Sequence, residues 1–142
     1  QARQGAIGEV TAAVGRQLDE EMSSIGDAGR RVVTATTRFI EIVVREPDWA
    51  HVLLGSAEVM PEMRKDIYRY LRSDIELGVE QGKFDVEVTG FLLDQVASLI
   101  GVSIRTQIST GPNAALTRQT CESILRLLGM SPAKARKLAA TG

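Results

Sequence analysis

The chain has 142 residues, a formal net charge of −1 and a hydrophobic content of 44%. This length suits one domain with a core of its own. The lack of a basic surplus argues against direct DNA binding, because neutralising phosphates supplies most of the affinity of such proteins. One cysteine, Cys121, excludes an internal disulfide and a cysteine-rich zinc site. With no apolar run of ~20 residues and no signal peptide, we expect a cytoplasmic protein without membrane contact.

Helical periodicity extends over nearly the whole sequence. A first helix is predicted over residues 1–22, where apolar residues recur at spacings of three and four. Asp27 is suited to cap a second helix that runs to about Arg45, and Pro47 ends it. Nothing reads as a strand, so we expect a single all-α helical-bundle domain over residues 1–142. About seven helices are predicted in all. The five that follow the second helix are predicted near 49–57, 60–81, 86–109, 113–128 and 133–139.

The segment 86–109 differs from an ordinary surface helix because it is apolar on two opposite sides. Phe91, Leu99 and Val102 point one way. The other side carries Leu93, Ala97, Ile100, Ile104 and Ile108. Both apolar sides of such a helix must be shielded from water by other parts of a protein. The domain's own core provides one cover, and either a partner or a central position within a monomer provides the other.

The next helix, 113–128, is apolar over about half its circumference and follows a short turn. We therefore predict that 86–128 forms a dimerisation hairpin that pairs with a second copy in a four-helix interface. Cys121 is expected to be a packed thiol in the core or the interface. The predicted interface residues are Leu93, Ala97, Ile100, Ile104, Leu116, Cys121, Ile124, Leu125 and Leu128.

Two stretches resemble a known family. The run IELGVEQGKF, Ile75 to Phe84, is similar to the end of the long central helix in the C-terminal domain of TetR-family regulators. The ending Leu127 to Met130, followed by a short Ala/Lys helix, is also similar. The resemblance implies that 1–22 is the connecting helix after an N-terminal helix-turn-helix headpiece, which this sequence lacks. It also implies an effector cavity among the second to fifth helices and dimerisation through the last two long ones.

The suspected cavity contains a polar residue in an apolar arc, Asp74 in the helix 60–81. A buried carboxylate is costly without a partner, so Asp74 is either paired with one of the arginines of the second helix, exposed at a rim, or a ligand anchor. Gln95 also has apolar neighbours. The predicted ligand-binding residues are Phe39, Trp49, Met63, Ile67, Tyr70 and Leu71 as the wall, with Asp74 and Gln95 as polar anchors. Aromatic and Met residues at these spacings are also typical of plain core.

No chemistry of catalysis is evident. The single histidine, His51, has the acids Asp48 and Glu58 nearby in sequence, but the spacing matches no metal or triad pattern. We expect no catalytic residue, metal or cofactor.

The favoured function is a ligand-sensing, homodimerising domain of a TetR-type transcriptional regulator. A small, mostly apolar effector would release operator DNA, which only the missing headpiece contacts. A ligand-free dimerisation or adaptor module is the first alternative, and a closed core would favour it. A small helical enzyme is the second, and several convergent titratable groups in a pocket would favour that.

Overall fold

The computed structural model describes residues 16–46, 48 and 61–141, without the side chains of 61–64 and 66. No strand occurs within these ranges, so the predicted all-α class is confirmed. Residues 1–15 of the first predicted helix and the predicted helix 49–57 lie outside the description. The helices are α1 (16–23), α2 (Ala28–Arg45), α3 (Pro61–Glu80), α4 (Gly90–Thr110), α5 (Ala114–Leu127) and α6 (Pro132–Ala139).

Side-chain oxygens that accept a hydrogen bond from the first helical turn define where several helices begin. Asp27 accepts from the backbone N–H of Arg30 at 2.9 Å, which places the start of α2 where the sequence predicted it. The start of α4 is four residues later than predicted. Thr89 accepts from the backbone N–H of Leu92 at 3.1 Å, and residues 86–89 are not helical. The apolar pattern over 86–89 indicates core contacts of Val86 and Val88 rather than helix.

Helix α2 lies at the centre of the described bundle and contacts α3, α4, α5 and α6. Its buried face carries Val32 and Val33 in the main core and Ile40 and Val43 in a smaller cluster with Ile104 of α4. The main core is completed by Ala28, Ile75, Phe84, Leu92, Leu93, Val96, Cys121, Ile124, Leu125, Leu128, Ala135 and Ala139. None of the described helices is long and apolar enough to cross a membrane.

The structure revises the list of predicted interface residues. Six of the nine are buried in the chain's own core and are unavailable to a second copy. The apolar face of α5 is turned toward α2, α4 and α6 of the same chain. Periodicity identifies an apolar face but not what covers it. The six are Leu93, Ile104, Cys121, Ile124, Leu125 and Leu128. Ala97, Ile100 and Leu116 are half-buried.

The opposite face of α4 is the uncovered one. Phe91 is 72% exposed and Val102 is 56% exposed, although both are large apolar side chains. The two-sided apolarity of this helix is therefore present in the structure, with one side in the core and the other facing outward. Dimerisation itself stays a prediction.

Candidate ligand cavity

A cavity of about 120 Å³ lies between α1, α2, α3 and α4. For comparison, an apolar cavity of ~150 Å³ can bind benzene. The space is therefore of the size of a compact molecule built on a single ring. Its lining is mostly apolar with a few polar groups, as is typical of small-molecule sites. The lining residues are Leu18, Asp19, Met22, Val32, Ala35, Thr36, Phe39, Ile67, Tyr70, Leu71, Asp74 and Ile100.

Most of the predicted ligand-binding residues that the structure describes meet at this cavity. They are Phe39, Ile67, Tyr70, Leu71 and Asp74. Trp49 and the side chain of Met63 lie outside the described part of the chain. Gln95 is described but is not among the lining residues. It lies four residues after Phe91 and seven before Val102, which places it on the outward side of α4. That these side chains bind a ligand stays a prediction.

One wall of the cavity was not predicted from the sequence. Leu18, Asp19 and Met22 of α1 line the space directly, and Met22 is buried. The family resemblance implied only a connecting helix for residues 1–22. Ile100, predicted as an interface residue, also lines the cavity. The signal for this wall in the sequence was the apolar stripe that includes Leu18. An apolar stripe does not reveal which other helices it contacts.

Asp74 is paired with Arg31 of α2, and pairing with an arginine of the second helix was one of the three alternatives that the sequence left open. Its Oδ1 lies 3.6 Å from Nη1 of Arg31, and the two side chains are 15% and 20% exposed. Nε of Arg31 in turn donates to the carbonyl oxygen of Ile25, in the connection between α1 and α2, at 2.5 Å. Burial raises the pKa of the Asp74 carboxyl, and the charge of Arg31 offsets this only in part. The ionised carboxylate is therefore poorly solvated at the cavity.

We expect the raised pKa of Asp74 to appear in the pH dependence of stability. A carboxyl whose pKa is higher in the folded than in the unfolded state binds more protons when folded, so its contribution falls as pH rises from about 4 through the folded pKa. The variant Asp74→Asn lacks this contribution. The free energy of unfolding of the variant, relative to wild type, should therefore increase from pH 4 to pH 7 in urea titrations. If the difference in unfolding free energy between Asp74→Asn and wild type stays flat with pH, or decreases, the pKa of Asp74 is not raised by folding. The control is Asp85→Asn, which changes a carboxyl group at an exposed position.

Within the described ranges, no three His, Cys, Asp or Glu side chains come together as a metal-binding group. His51 and Glu58 lie outside those ranges, and Asp48 is exposed. Cys121 is a core residue, 1% exposed, and burial raises the pKa of its thiol. These placements add no catalytic feature to the cavity.

Comparison with known proteins shows a shared fold. No family model matches the chain, and no curated protein matches it significantly. Among solved structures, RolR in complex with its ligand resorcinol matches with a TM-score of 0.85 and 17% identity, over 98% of this chain and 69% of RolR. RolR without ligand matches with a TM-score of 0.80 and 18% identity, over 96% of this chain and 71% of RolR. At this identity the likeness establishes a shared fold alone.

Proposed function

We propose that this chain is the ligand-sensing and homodimerising domain of a TetR-type transcriptional regulator, with residues 1–22 as the connecting helix. The observation that carries the proposal is the cavity of about 120 Å³, which lies among α1, α2, α3 and α4. The fold is shared with RolR, which has been solved with resorcinol bound and without ligand. Operator DNA would be bound only by a headpiece outside this sequence, and the protein would act in the cytoplasm.

The cavity favours this function over the two alternatives. A ligand-free dimerisation or adaptor module needs only a closed core, and it gives no reason for an apolar space open to a small molecule. An enzyme needs convergent reactive groups, such as a nucleophile beside a base. The described lining residues that could transfer a proton are the carboxyl groups of Asp19 and Asp74 and the hydroxyl groups of Thr36 and Tyr70. Of the two carboxylates, Asp74 is paired with Arg31 and Asp19 is exposed, so neither is arranged as a base beside a nucleophile.

Helix α1 is the element suited to transmit occupancy of the cavity. It contributes Leu18, Asp19 and Met22 to the wall, so a ligand would touch it directly. It is also tied to α2, because Nη1 of Arg38 lies 3.1 Å from Oε2 of Glu21. A ligand that binds better to one position of α1 than to another would shift the population toward that position. The resulting coupling to DNA release is no larger than this difference in affinity.

The dimer would use the outward face of α4. Phe91 and Val102 lie on this face together with Ser98 and Ser109, all of them exposed. Helical spacing places these four residues in one stripe, and two copies related by a two-fold axis would bring the same stripe together. Phe91 and Val102 are large apolar side chains that a partner on this stripe would shield from water.

The sensing function is tested by thermal unfolding with small aromatic molecules, resorcinol among them. A ligand that binds only the folded chain stabilises it by roughly 2.7 kcal/mol at a concentration 100-fold above Kd. We expect at least one such molecule to raise the melting temperature of the wild-type chain. The fluorescence of Trp49, the single tryptophan, gives a second readout.

A pair of matched variants connects this stabilisation to the cavity. Ala35 lines the cavity, so Ala35→Leu fills part of it and should abolish the ligand-dependent rise. Ala115 is exposed on α5, so Ala115→Leu should leave the rise intact. If Ala35→Leu responds to the ligand as the wild type does, binding occurs elsewhere and the sensing role of this cavity is wrong.

A further inference from the structure

The polar groups of the described lining residues are the carboxyl groups of Asp19 and Asp74 and the hydroxyl groups of Thr36 and Tyr70. Among the described lining residues, the charged side chains are Asp19 and Asp74, and both are carboxylates. An ionised carboxylate accepts hydrogen bonds and donates none. Thr36 adds a buried hydroxyl, 5% exposed. The nearest described cation, Arg31, is not among the lining residues, and its Nε is held by the carbonyl of Ile25.

Asp74 has acceptor capacity beyond its contact with Arg31. The Oδ1–Nη1 distance is 3.6 Å, whereas a charge-assisted hydrogen bond of this kind measures about 2.7–2.9 Å. A carboxylate offers about four lone-pair sites on its two oxygens. Burial raises the pKa of Asp74, and Arg31 compensates the lost solvation of the carboxylate only in part. A donor inside the cavity would supply the missing hydrogen bond to an oxygen that water reaches poorly.

The same charges act against an anion. A ligand carboxylate would approach Asp74, whose side chain is 15% exposed, and like charges repel more strongly there than in bulk water. Asp19 is exposed, so its repulsion is more strongly screened by water. The remainder of the wall, including the aromatic rings of Phe39 and Tyr70, provides apolar contact area. The volume of about 120 Å³ is close to the ~150 Å³ of a cavity that binds benzene, so a single ring is the occupant that fits it best.

We propose, on the basis of the sensing function above, that the cavity takes a compact single-ring molecule whose hydroxyl or ammonium group donates a hydrogen bond to Asp74, and that it rejects the carboxylate analogue. Asp74 is the specificity-determining residue, and the apolar wall supplies most of the contact. The two donor groups share one recognition chemistry, and they differ in charge. The experiment below distinguishes them.

The test uses four probes with the 142-residue chain in isothermal titration calorimetry. Ethylbenzene, benzyl alcohol and benzylamine share one skeleton and differ only at the terminal group, while benzoate is the anionic probe. We expect benzyl alcohol or benzylamine to bind at least about tenfold more tightly than ethylbenzene, as a hydrogen bond to a charged acceptor predicts. Benzoate should bind most weakly.

Variants at Asp74 identify the acceptor. Asp74→Asn keeps the shape and one acceptor oxygen but removes the charge, so it should weaken benzylamine more than benzyl alcohol if the ammonium is favoured. Asp74→Leu removes the acceptor, so the preference for either donor over ethylbenzene should vanish. Asp85→Asn, exposed and remote in sequence, should change nothing. A cooperative melting transition in the Asn and Leu variants, well above the temperature of the titration, confirms that the comparison is made on folded protein.

Two results would overturn the proposal while leaving the sensing function in place. One is that ethylbenzene or benzoate binds as tightly as both donor-bearing probes. The other is that the donor preference survives in Asp74→Leu. If none of the four probes binds and no aromatic molecule raises the melting temperature, both the proposal and the sensing function are wrong.

Discussion

Replacing Leu125 with arginine is expected to unfold the chain rather than to separate two copies of it. Leu125 is fully buried in α5 and belongs to the main core. A charge placed there loses its hydration without gaining a partner, which costs several kcal/mol, and the leucine contacts are lost as well. Domains of this kind are stable by about 5–15 kcal/mol in total. Circular dichroism should therefore show loss of helix, or a midpoint of urea unfolding far below that of the wild type.

The matched variant is Val102→Arg, which places the same side chain on the outward face of α4. Val102 is 56% exposed, so the fold should persist with its helix content unchanged. A specific dimer interface buries at least about 1,000 Å², and a charge repeated across a two-fold axis at its centre should dissociate it. We expect sedimentation to show a dimer for the wild type and a folded monomer for Val102→Arg.

The pair of variants decides between two faces of the same hairpin. A folded monomer for Leu125→Arg would place Leu125 at the interface, as the periodicity of the sequence first indicated, and would contradict the core assignment. A dimer for Val102→Arg at micromolar concentration would exclude the outward face of α4. A monomeric wild type would remove dimerisation from the proposed function.

Gly78→Ala is expected to destabilise the chain, although alanine usually favours a helix over glycine by about 1 kcal/mol. A Cβ atom on Gly78 would overlap the ring of Phe84, which is itself buried at 3% exposure. The ring cannot withdraw easily, because the backbone N–H of Phe84 donates to the carbonyl of Gly78 at 3.1 Å. Overpacking of this kind costs about 1–3 kcal/mol, so the net effect should be a loss of stability.

The sign of this effect should reverse when the ring is removed. In a Phe84→Leu or Phe84→Ala background, Gly78→Ala should stabilise by up to about 1 kcal/mol, because only the helix preference remains. Urea unfolding of the four proteins in this cycle measures the reversal. Gly90→Ala is the control, since a Cβ there meets no atom within 4 Å. A destabilisation by Gly78→Ala that persists without the ring would show that Phe84 is not the cause.

The contact between Gly78 and Phe84 also gives a physical account of the run from Ile75 to Phe84 that resembles the TetR family. Gly78 leaves room for the aromatic ring, and Gly82 ends α3 at a φ of +70°, a left-handed geometry that favours glycine. The chain then turns back so that Phe84 packs on the helix it has just left. Each small or aromatic residue of the pattern therefore has a local structural role.

The sequence by itself determined the elements that depend on local interactions. The boundaries of α2 agree with the prediction because Asp27 caps its first turn, and such a cap involves only neighbouring residues. The all-α class and the two-sided apolarity of α4 were likewise available from periodicity. That Phe39, Ile67, Tyr70, Leu71 and Asp74 meet at a cavity was expected from the family resemblance, because periodicity alone does not distinguish a cavity wall from plain core.

Only the tertiary structure determined which helices pack against each apolar face and which face stays exposed. Periodicity reports that a face is apolar, whereas its cover depends on how helices distant in sequence pack. For this reason Leu125 and Ile124 were predicted at an interface but lie in the core, and Gln95 was predicted at the cavity but lies on the outward side of α4. The wall contributed by Met22 and the choice of Arg31 as the partner of Asp74 depend on the same packing. These contacts join residues that no local rule brings together, because their distances are fixed only when α1, α2 and α3 have packed.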